Sequence, residues 1–468
     1  MVNLGFAIDN RKCIGCHACT VACKSEHDIP VGVNRTHVKY IETGIYPDSS
    51  REFSVHRCNH CEDAPCTTIC PTTALFTRSD GVVDFDDERC IGCKSCMQAC
   101  PYDALYIDPN KGTAAKCNFC AHRLENSYEP ACVIVCPVEA IVSGDLDDPD
   151  SSLSKLISEN DTTVRKPEAG TVPNVFYLDT SAEMLDPTAT EFTGSFMSSQ
   201  QAAGVGHYAK YAQQRLGAAD EHSMLVQLAL EVKAKDANPR DRAIIRDVAE
   251  RLKDNSPQAK RAYDAPSKGI LWGWEVSAYI WTKAVASGTY MVAMIAWLMG
   301  YLDMTDLWWP IIGIGLFFLA VTGALLVKDL DRPERFLYVI LRPNWNSWLV
   351  KGAYILSAYG GILFVTAVAL FIGLSDTYLR LLAYAGIPLA ALTGVYTAWL
   401  LQQAKARSWA QDRLLPAKFL LETAAIGAAV LLLLVGNMTI IVVSVIALLA
   451  FWLHGHKIIE KPQIEPLL

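Results

Sequence analysis

The chain has 468 residues, which is enough for two or three domains, and 51% of them are hydrophobic. A formal net charge of −8, without any Lys/Arg-rich run or basic aromatic patch, argues against nucleic acid as a partner. The mean hydropathy of +0.19 is high for a purely soluble protein, and the apolar residues are concentrated after residue 268, so a membrane domain is predicted there with a boundary near Pro266.

The N-terminal segment, residues 1–12, has no apolar signal-peptide core and no twin-arginine pair. An export signal is therefore not expected in this segment. Export together with a signal-bearing partner stays open, so this observation favours a cytoplasmic placement without requiring it.

The cysteines dominate the first part of the chain. All 16 lie between Cys13 and Cys136, and they form four groups of four. The groups are Cys13, Cys16, Cys19 and Cys23; Cys58, Cys61, Cys66 and Cys70; Cys90, Cys93, Cys96 and Cys100; and Cys117, Cys120, Cys132 and Cys136.

The spacing of these cysteines indicates iron–sulfur clusters. Groups one and three read C-x2-C-x2-C-x3-C, the bacterial ferredoxin spacing, in which the fourth cysteine binds the neighbouring cluster. Groups two and four widen one gap but keep the outer C-x2-C and C-x3-C-P elements. A disulfide framework suits small secreted domains, and zinc sites use paired C-x2-C or mixed Cys/His ligands. Four repeats of this pattern favour four [4Fe-4S] clusters over both alternatives.

Sharing of the fourth cysteine predicts the ligands of each cluster. Groups two and three are adjacent and can form one ferredoxin-like pair, which groups one and four then enclose as a second pair. The predicted ligand sets are set A (Cys13, Cys16, Cys19 and Cys136), set B (Cys117, Cys120, Cys132 and Cys23), set C (Cys58, Cys61, Cys66 and Cys100) and set D (Cys90, Cys93, Cys96 and Cys70).

Residues 5–145 resemble the four-cluster subunits of the polysulfide reductase, dimethyl sulfoxide reductase and formate dehydrogenase group. The segments CIGCHACTVAC, CNHCEDAPCTTICPTTA, CIGCKSCMQACPYDA and CNFC…CVIVCP carry this resemblance. It implies the same nested pairing and no catalytic site in this chain. It also implies that the chain conducts electrons between a large catalytic subunit and a membrane anchor.

The middle of the chain carries few signals. The stretch KPEAGTVPNVFYLD, residues 166–179, resembles the tail of the same iron–sulfur subunits, where the chain runs back over the cluster domain. Apolar spacing predicts helices around residues 225–232 and 244–252. Without a motif, the segment is interpreted as a connector beside the cluster domain, or as a docking surface for a partner.

Six apolar runs follow, and most approach the roughly 20 residues that span a bilayer. They are 276–302, 307–327, 350–374, 379–401, 419–436 and 438–454. Basic residues cluster before span one, between spans two and three, between spans four and five, and after span six, whereas the opposite loops hold almost none. The positive-inside rule therefore predicts that both chain ends and the cluster domain lie in the cytoplasm.

The segment LLVKDLDRPERFLYVILRPNWNSWLVKGAY resembles the NrfD/PsrC-like membrane anchor family, which carries a similar D-L-x-R-P-x-R-F turn after its second helix. The resemblance spans roughly residues 272–436. Family members usually have eight or more spans, whereas six are predicted here. The resemblance implies a quinone or quinol site near the end that faces the iron–sulfur subunit, without haem.

Four residues are candidates for the quinone site. Glu275 and Lys283 are eight residues apart, about two helical turns, with Tyr279 midway, so a carboxylate, a phenol and an amine share one helix face. Asp329 follows the second span and could carry protons. In the alternative interpretation, Lys283 reaches the membrane interface among belt tryptophans, and Asp329 forms salt bridges with Arg332 or Arg335.

These signals predict an α+β protein: two nested ferredoxin-like 2×[4Fe-4S] units followed by an all-α transmembrane bundle. The expected domains are 1–145 (clusters), 146–266 (tail and helical connector) and 267–468 (membrane domain with about six helices). The leading hypothesis is an electron-transfer and anchor subunit linking a molybdopterin-containing catalytic subunit to the quinone pool, with room for further membrane subunits. The alternatives are the same role beside a hydrogenase or multihaem cytochrome, and a scaffold whose clusters serve folding.

Overall fold

The computed structural model describes residues 2–45, 48–187, 190–196, 259–265, 268–436 and 438–464. The helices expected around residues 225–232 and 244–252 lie outside the described residues. The strands are β1 (Leu4–Asp9), β2 (His37–Ile45), β3 (Asp48–His56), β4 (Leu75–Thr77), β5 (Val83–Phe85), β6 (Tyr106–Asp108), β7 (Thr113–Ala115), β8 (Ile141–Asp145), β9 (Thr162–Thr163), β10 (Val175–Leu178), β11 (Glu191–Phe196) and β12 (Lys260–Asp264).

The helices before residue 186 are short, and most of the helices after residue 273 are long and form the bundle. The short ones are α1 (Ala18–Glu26), α2 (Pro65–Ile69), α3 (Ser95–Ala99), α4 (Ala121–Leu124), α5 (Ala131–Ile134), α6 (Ser152–Glu159) and α7 (Ala182–Leu185). The bundle contains α8 (Trp274–Leu298), α9 (Trp308–Lys328), the short α10 (Tyr338–Leu341), α11 (Trp348–Phe371), α12 (Asp376–Gln403), α13 (Leu415–Val435) and α14 (Met438–Ile464).

One four-stranded sheet, in the order β8-β1-β10-β9, ties the tail to the start of the chain. β10 pairs in parallel with β1, Phe6 opposite Val175, so the segment that resembles the family's tail does run back over the cysteine-rich part. β1 is apolar and buried on both sides, as a central strand requires. Leu153 of α6 packs on Ala7, while Phe6 faces the cysteines.

A second sheet, in the order β11-β12-β2-β3, leads towards the membrane part. β2 and β3 form a long hairpin, and β12 adds to β2 antiparallel, with β11 outside it in parallel. The described ends of the predicted connector therefore join a sheet of the cysteine-rich part, only a few residues before the bundle begins.

The cysteine loops curl because they use left-handed backbone. In the C-I-G-C segments, Gly15 and Gly92 have φ values of 67° and 71°. His17 and Lys94, which follow the second cysteine of groups one and three, are also left-handed and cap α1 and α3. Glycine adopts this conformation without the steric penalty that a Cβ brings. The repeated left-handed turns bring three thiols of a group round one space.

The bundle contains five helices that are long and apolar enough to cross a membrane, α9 and α11 to α14. The observed ends lie within a few residues of the expected spans, except that α14 continues to Ile464, ten residues past the predicted end. α8 is as long as these helices but carries more polar residues, and it does not reach the same apolarity within the described residues. A first span at α8 stays a prediction.

α8 is the most enclosed helix of the bundle and crosses α13 with the two backbones in contact. A Cβ added at Gly288 would collide with the Thr423 carbonyl oxygen, and one at Gly427 would collide with the backbone of Gly288. Small residues allow such close crossings of membrane helices. Polar side chains of α8 bond within the bundle, as where Thr282 Oγ1 lies 2.9 Å from Thr322 Oγ1.

Candidate functional site: the cysteine sets and the membrane contact

The structure brings the cysteines of sets A and D together directly. One cavity is lined by Cys13, Cys16, Cys19 and Cys136, and another by Cys70, Cys90, Cys93 and Cys96. In each cavity three thiols come from one group and the fourth is the last cysteine of another. The crossing of the fourth cysteine between groups, which the spacing predicts, is therefore present in the geometry.

The thiols of sets B and C also lie together. The sulfur neighbours that act most strongly on Cys23 are Cys117, Cys132 and Cys120. Those of Cys66 are Cys100, Cys58 and Cys61. All sixteen cysteines are free of disulfides, which leaves every thiol available as a ligand.

The donor sets fit [4Fe-4S] clusters. Burial, with added repulsion between neighbouring sulfurs, raises the pKa of Cys19 to about 11 and the pKa values of Cys93 and Cys120 to about 12. Such thiols ionise at neutral pH only when a positive metal centre stabilises the thiolates. Among the described residues, no three metal-binding side chains are grouped closely enough for a single ion. Four thiols round one cavity, the fourth drawn from another group, are the donor set that a [4Fe-4S] cluster takes in ferredoxin-type loops.

The four sets follow one another in a row from A to D. Cys19 of set A acts electrostatically on Cys132 of set B. Cys58 of set C interacts electrostatically with Cys117 of set B, and Cys96 of set D interacts in the same way with Cys66 of set C. The order along the chain is different, because nesting places the first and last groups side by side.

Set A forms the exposed end of this row. Cys16 is solvent-exposed, and apolar side chains beside sets A and B face solvent: Ile14, Val21 and Ile134 are 56%, 64% and 57% exposed. Isolated exposed apolar residues are ordinary, but several around one redox-type site suggest a contact surface.

Set D lies against the bundle, in contact with the loop after α9. The backbone N–H of Arg332 donates to the Ile91 carbonyl oxygen at 3.2 Å, and Lys94 Nζ is 3.2 Å from Asp331 Oδ1. Arg335 Nη1 donates to the carbonyl oxygen of Cys90 at 3.0 Å. The D-L-x-R-P-x-R-F turn is therefore the membrane domain's main contact with the C-I-G-C loop of group three.

Other segments of the bundle complete the enclosure of set D. Asn344 Nδ2 donates to the Cys70 carbonyl oxygen at 2.7 Å, and Trp272 Nε1 donates to the Cys93 carbonyl oxygen at 3.2 Å. Both acceptors belong to cysteines of set D. The hydrogen bonds hold the backbone around the cavity in a fixed position relative to the membrane helices.

A buried network joins α3 to the end of α14. Gln463 Oε1 accepts hydrogen bonds from Gln98 Nε2 at 2.6 Å and from the Leu271 backbone N–H at 3.0 Å. Arg407 Nε donates to Gln98 Oε1 at 2.7 Å. No sequence signal pointed to either glutamine, since two amides far apart in sequence carry no pattern; Arg407 stands among the basic residues between spans four and five.

The candidate quinone residues lie on α8 and at the end of α9, on the bundle side of set D. Lys283 is fully buried, and its Nζ donates to Thr397 Oγ1 at 2.5 Å and lies 4.3 Å from the Tyr396 ring centroid. The alternative that Lys283 reaches the membrane interface is therefore wrong. Tyr279 is buried one turn nearer the cysteine-rich part and interacts electrostatically with Tyr396 and Asp329. Sequence reasoning missed Thr397 and Tyr396, which come from α12.

The other two candidates sit at the mouth of this region. Glu275 Oε1 is 3.7 Å from Lys328 Nζ. Burial raises the pKa of Asp329 to about 7, with the nearby carboxylates of Glu275 and Asp331 adding to the rise and Lys94 opposing it. The four candidates thus run from the membrane-domain loop into the bundle, in the order Asp329, Glu275, Tyr279 and Lys283.

The expected salt bridges around Asp329 are replaced by others. Arg332 pairs with Glu334 at 3.2 Å, Arg335 donates to backbone carbonyl oxygens, and Asp331 pairs with Lys94. Docking of the cysteine-rich part supplies Lys94 and the carbonyl oxygens that Arg335 binds, so no local pattern could reveal these two pairings.

Glu422 of α13 lies close to this region. Lys418, one turn before it on the same helix, pairs with Asp412 at 2.5 Å. Glu422 lines a cavity with Ser277, Trp281 and Trp452 and interacts electrostatically with Lys283.

Two family models match the chain. A 4Fe-4S dicluster domain matches residues 50–146, and the polysulphide reductase NrfD model matches residues 264–444. A polysulfide reductase chain of Wolinella succinogenes is 42% identical over 177 residues, which is 37% of this chain and 93% of that protein. A putative dimethyl sulfoxide reductase iron–sulfur subunit of Halobacterium salinarum is 39% identical over 209 residues, 38% of this chain and 80% of that protein. A tetrathionate reductase subunit of Salmonella typhimurium is 42% identical over 186 residues, 38% of this chain and 74% of that protein.

Proposed function

We propose that this chain, which belongs to the family of the iron–sulfur subunits of polysulfide reductase and related reductases and carries an NrfD membrane domain, transfers electrons between a catalytic partner and membrane quinone. The observation that carries the proposal is the position of the cysteine row. Set D is enclosed by loops of the bundle, whereas set A lies at the exposed end.

The chain's own residues hold and insulate the redox groups. Sets A to D provide four thiolates each for a [4Fe-4S] cluster, which exchanges single electrons when bound. Backbone N–H groups support the thiolates, as where Ala114 N donates to Cys90 Sγ at 3.3 Å and Ala140 N to Cys136 Sγ at 3.2 Å. Such hydrogen bonds and the exclusion of water tune the reduction potential.

Quinone chemistry is assigned to the region of Asp329, Glu275, Tyr279 and Lys283. A quinone headgroup has two carbonyl oxygens that need hydrogen-bond donors and, on reduction, protons. Tyr279 and Lys283 offer a phenol O–H and an amine, while Asp329 can pass a proton at neutral pH because its pKa is about 7. Trp272, three residues before Glu275 in the chain, links this region to set D through its hydrogen bond to the Cys93 carbonyl oxygen.

The catalytic partner is assigned to the exposed end. The relatives' names describe subunits of reductases, and we infer for this chain a molybdopterin-containing catalytic subunit that docks over Ile14, Val21 and Ile134. Metal analysis of the complex purified in mild detergent tests this. Roughly sixteen iron atoms per chain and molybdenum or tungsten are expected. Nickel would point to a hydrogenase partner instead, and a far lower iron content would refute the four-cluster assignment.

We propose that the iron–sulfur domain lies on the cytoplasmic side, because the loops at its end of the bundle are the basic ones. Two of these cations, Arg335 and Arg407, also donate hydrogen bonds to that domain. Because docking is a second reason for basic residues in these loops, the side of the membrane needs an independent test. Gln463 at the end of α14 accepts a hydrogen bond from Gln98 of the iron–sulfur domain. A reporter fused after residue 468 therefore shows on which side of the membrane the end of α14 and the iron–sulfur domain lie. A fluorescent GFP fusion supports the placement, and an active alkaline phosphatase fusion contradicts it.

A further inference from the structure

A buried arginine lies among the thiols of sets A and B. Arg57 is 1% exposed, and its Nη1 donates to Cys132 Sγ at 3.2 Å. Cys117 and Cys19 are also close enough to interact with its charge. The guanidinium therefore faces sulfurs of two neighbouring sets at once.

In the described part of the chain, the Arg57 guanidinium has no carboxylate partner. Its Nε and Nη2 are buried there without a hydrogen bond, and the salt bridges found among these residues do not include it. Its Cζ lies 4.5 Å from the centroid of the Phe6 ring, which closes one side with apolar surface. Burying a guanidinium without a counter-charge is costly, so the anionic groups that stabilise it must be the thiolates and whatever they hold.

We propose that Arg57 raises the reduction potentials of the [4Fe-4S] clusters of sets A and B, and does so more than for sets C and D. This inference rests on the proposed function. Reduction adds an electron to a cluster, and a fixed positive charge with unpaired N–H donors stabilises the more negative, reduced form. Electrons are thereby held preferentially in the half of the row that lies away from the membrane.

Arginine suits this role better than the other cation buried nearby. Lys116 Nζ donates to the carbonyl oxygens of Cys117, at 2.8 Å, and of Val83, and it interacts with the thiol of Cys58 in set C, so its charge is not directed at set A. Arg57 stays charged at any physiological pH and directs its planar fork of N–H groups towards two sites. It acts through the ligands and is a tuning residue rather than a catalytic one.

The test is an EPR-monitored redox titration of the full-length chain, purified with its partner in detergent. In Arg57→Gln, two of the four cluster potentials should fall by at least about 59 mV, equal to a tenfold weaker reduction equilibrium for one electron, while the other two change by less than half of that. Arg57→Lys keeps the charge but fewer donors, and the same two potentials should fall less.

Arg165→Gln is the matched control. Arg165 is equally buried, but its Nε donates to the Leu185 carbonyl oxygen and its guanidinium lies 5.7 Å from the Tyr102 ring centroid. Arg57, in contrast, donates to a cysteine sulfur, so all four potentials should stay at their wild-type values in Arg165→Gln. If Arg57→Gln keeps its iron and its four potentials, the inference is overturned while the proposed function stands. If the wild-type chain holds far fewer than roughly sixteen iron atoms, the four-cluster assignment is refuted, and the inference about Arg57 falls with it.

The lysine variant decides the matter if Arg57→Gln loses iron. Two lowered potentials in Arg57→Lys then support the inference, because the missing N–H donors act on the same pair of clusters. Four wild-type potentials in Arg57→Lys would overturn it.

Discussion

Lys283 is an ionisable group at the centre of the bundle, and its contacts explain how it is tolerated. Its ammonium donates to Thr397, lies over the Tyr396 ring and interacts with the Glu422 carboxylate. A charged side chain within a membrane domain is costly unless it is partnered, and such residues usually serve function.

Replacing Lys283 tests its proposed part in quinone chemistry. In Lys283→Met, reoxidation of the reduced clusters by a quinone analogue should slow at least about tenfold, equal to roughly 1.4 kcal/mol of barrier, because a donor to the headgroup is lost. Reduction of the clusters by dithionite should be unchanged. Lys457→Met, at an exposed lysine of α14, is the control, and equal rates in the two variants would contradict the assignment.

Asp329 gives the site a pH dependence near neutrality. Burial raises its pKa to about 7, so the carboxyl holds a proton below pH 7 and loses it above. Quinone reduction takes up protons, and its rate should fall as the pH rises through 7. Asp329→Asn should remove this step from stopped-flow pH profiles. A step that persists in the variant would assign it to another group.

At the level of elements, the crossing of α8 and α13 depends on two glycines. Gly288→Ala places a methyl group against the Thr423 carbonyl oxygen, and we expect the bundle to lose about 1–3 kcal/mol. The decrease should appear as a lower melting temperature in detergent. Gly313→Ala on α9 has open space around its Cβ and should leave stability almost unchanged. Equal losses of stability in the two variants would show that the close crossing is not responsible.

The contact between the C-I-G-C loop and the loop after α9 is equally specific. A Cβ at Gly92, whose φ is +71°, would lie 2.7 Å from Asp331 Cβ. Gly92→Ala should therefore slow electron exchange between clusters and quinone several-fold and weaken docking. Gly170→Ala has a similar φ of +61° but no neighbour within 4 Å, so it separates backbone strain from the lost contact. Hydrogen exchange of the loop at residues 329–336 would report the loosened contact.

The elements also show how far the sequence could be interpreted. Cysteine spacing predicted which thiols meet, because the ligand geometry of ferredoxin-type loops is local and repeated. Helix ends in the bundle followed from hydropathy to within a few residues, except at the end of α14. The row A to D and the arginines that dock it could not be predicted. Arg335 and Arg407 have partners more than 240 residues away, and one sequence shows no pattern for such pairs.

For the whole molecule, the exposed end of the row should decide partner binding. Ile134→Asp puts a charge beside sets A and B and should reduce co-purification of the catalytic partner at least tenfold, while iron content stays at the wild-type value. Val2, also exposed and apolar at 51%, provides the control as Val2→Asp. Pull-down with a tagged chain measures both. A partner retained by Ile134→Asp would place its surface elsewhere.

The network of Gln98, Arg407 and Gln463 has a consequence for biogenesis. Gln98 is synthesised early, whereas Gln463 leaves the ribosome only after every helix of the bundle. The hydrogen bonds that fix α3, the helix carrying Cys96 of set D, to the bundle therefore form only at the end of translation. Because the end of α14 holds α3 in place, we expect a chain truncated before residue 463 to lose iron to chelators faster than the full-length chain.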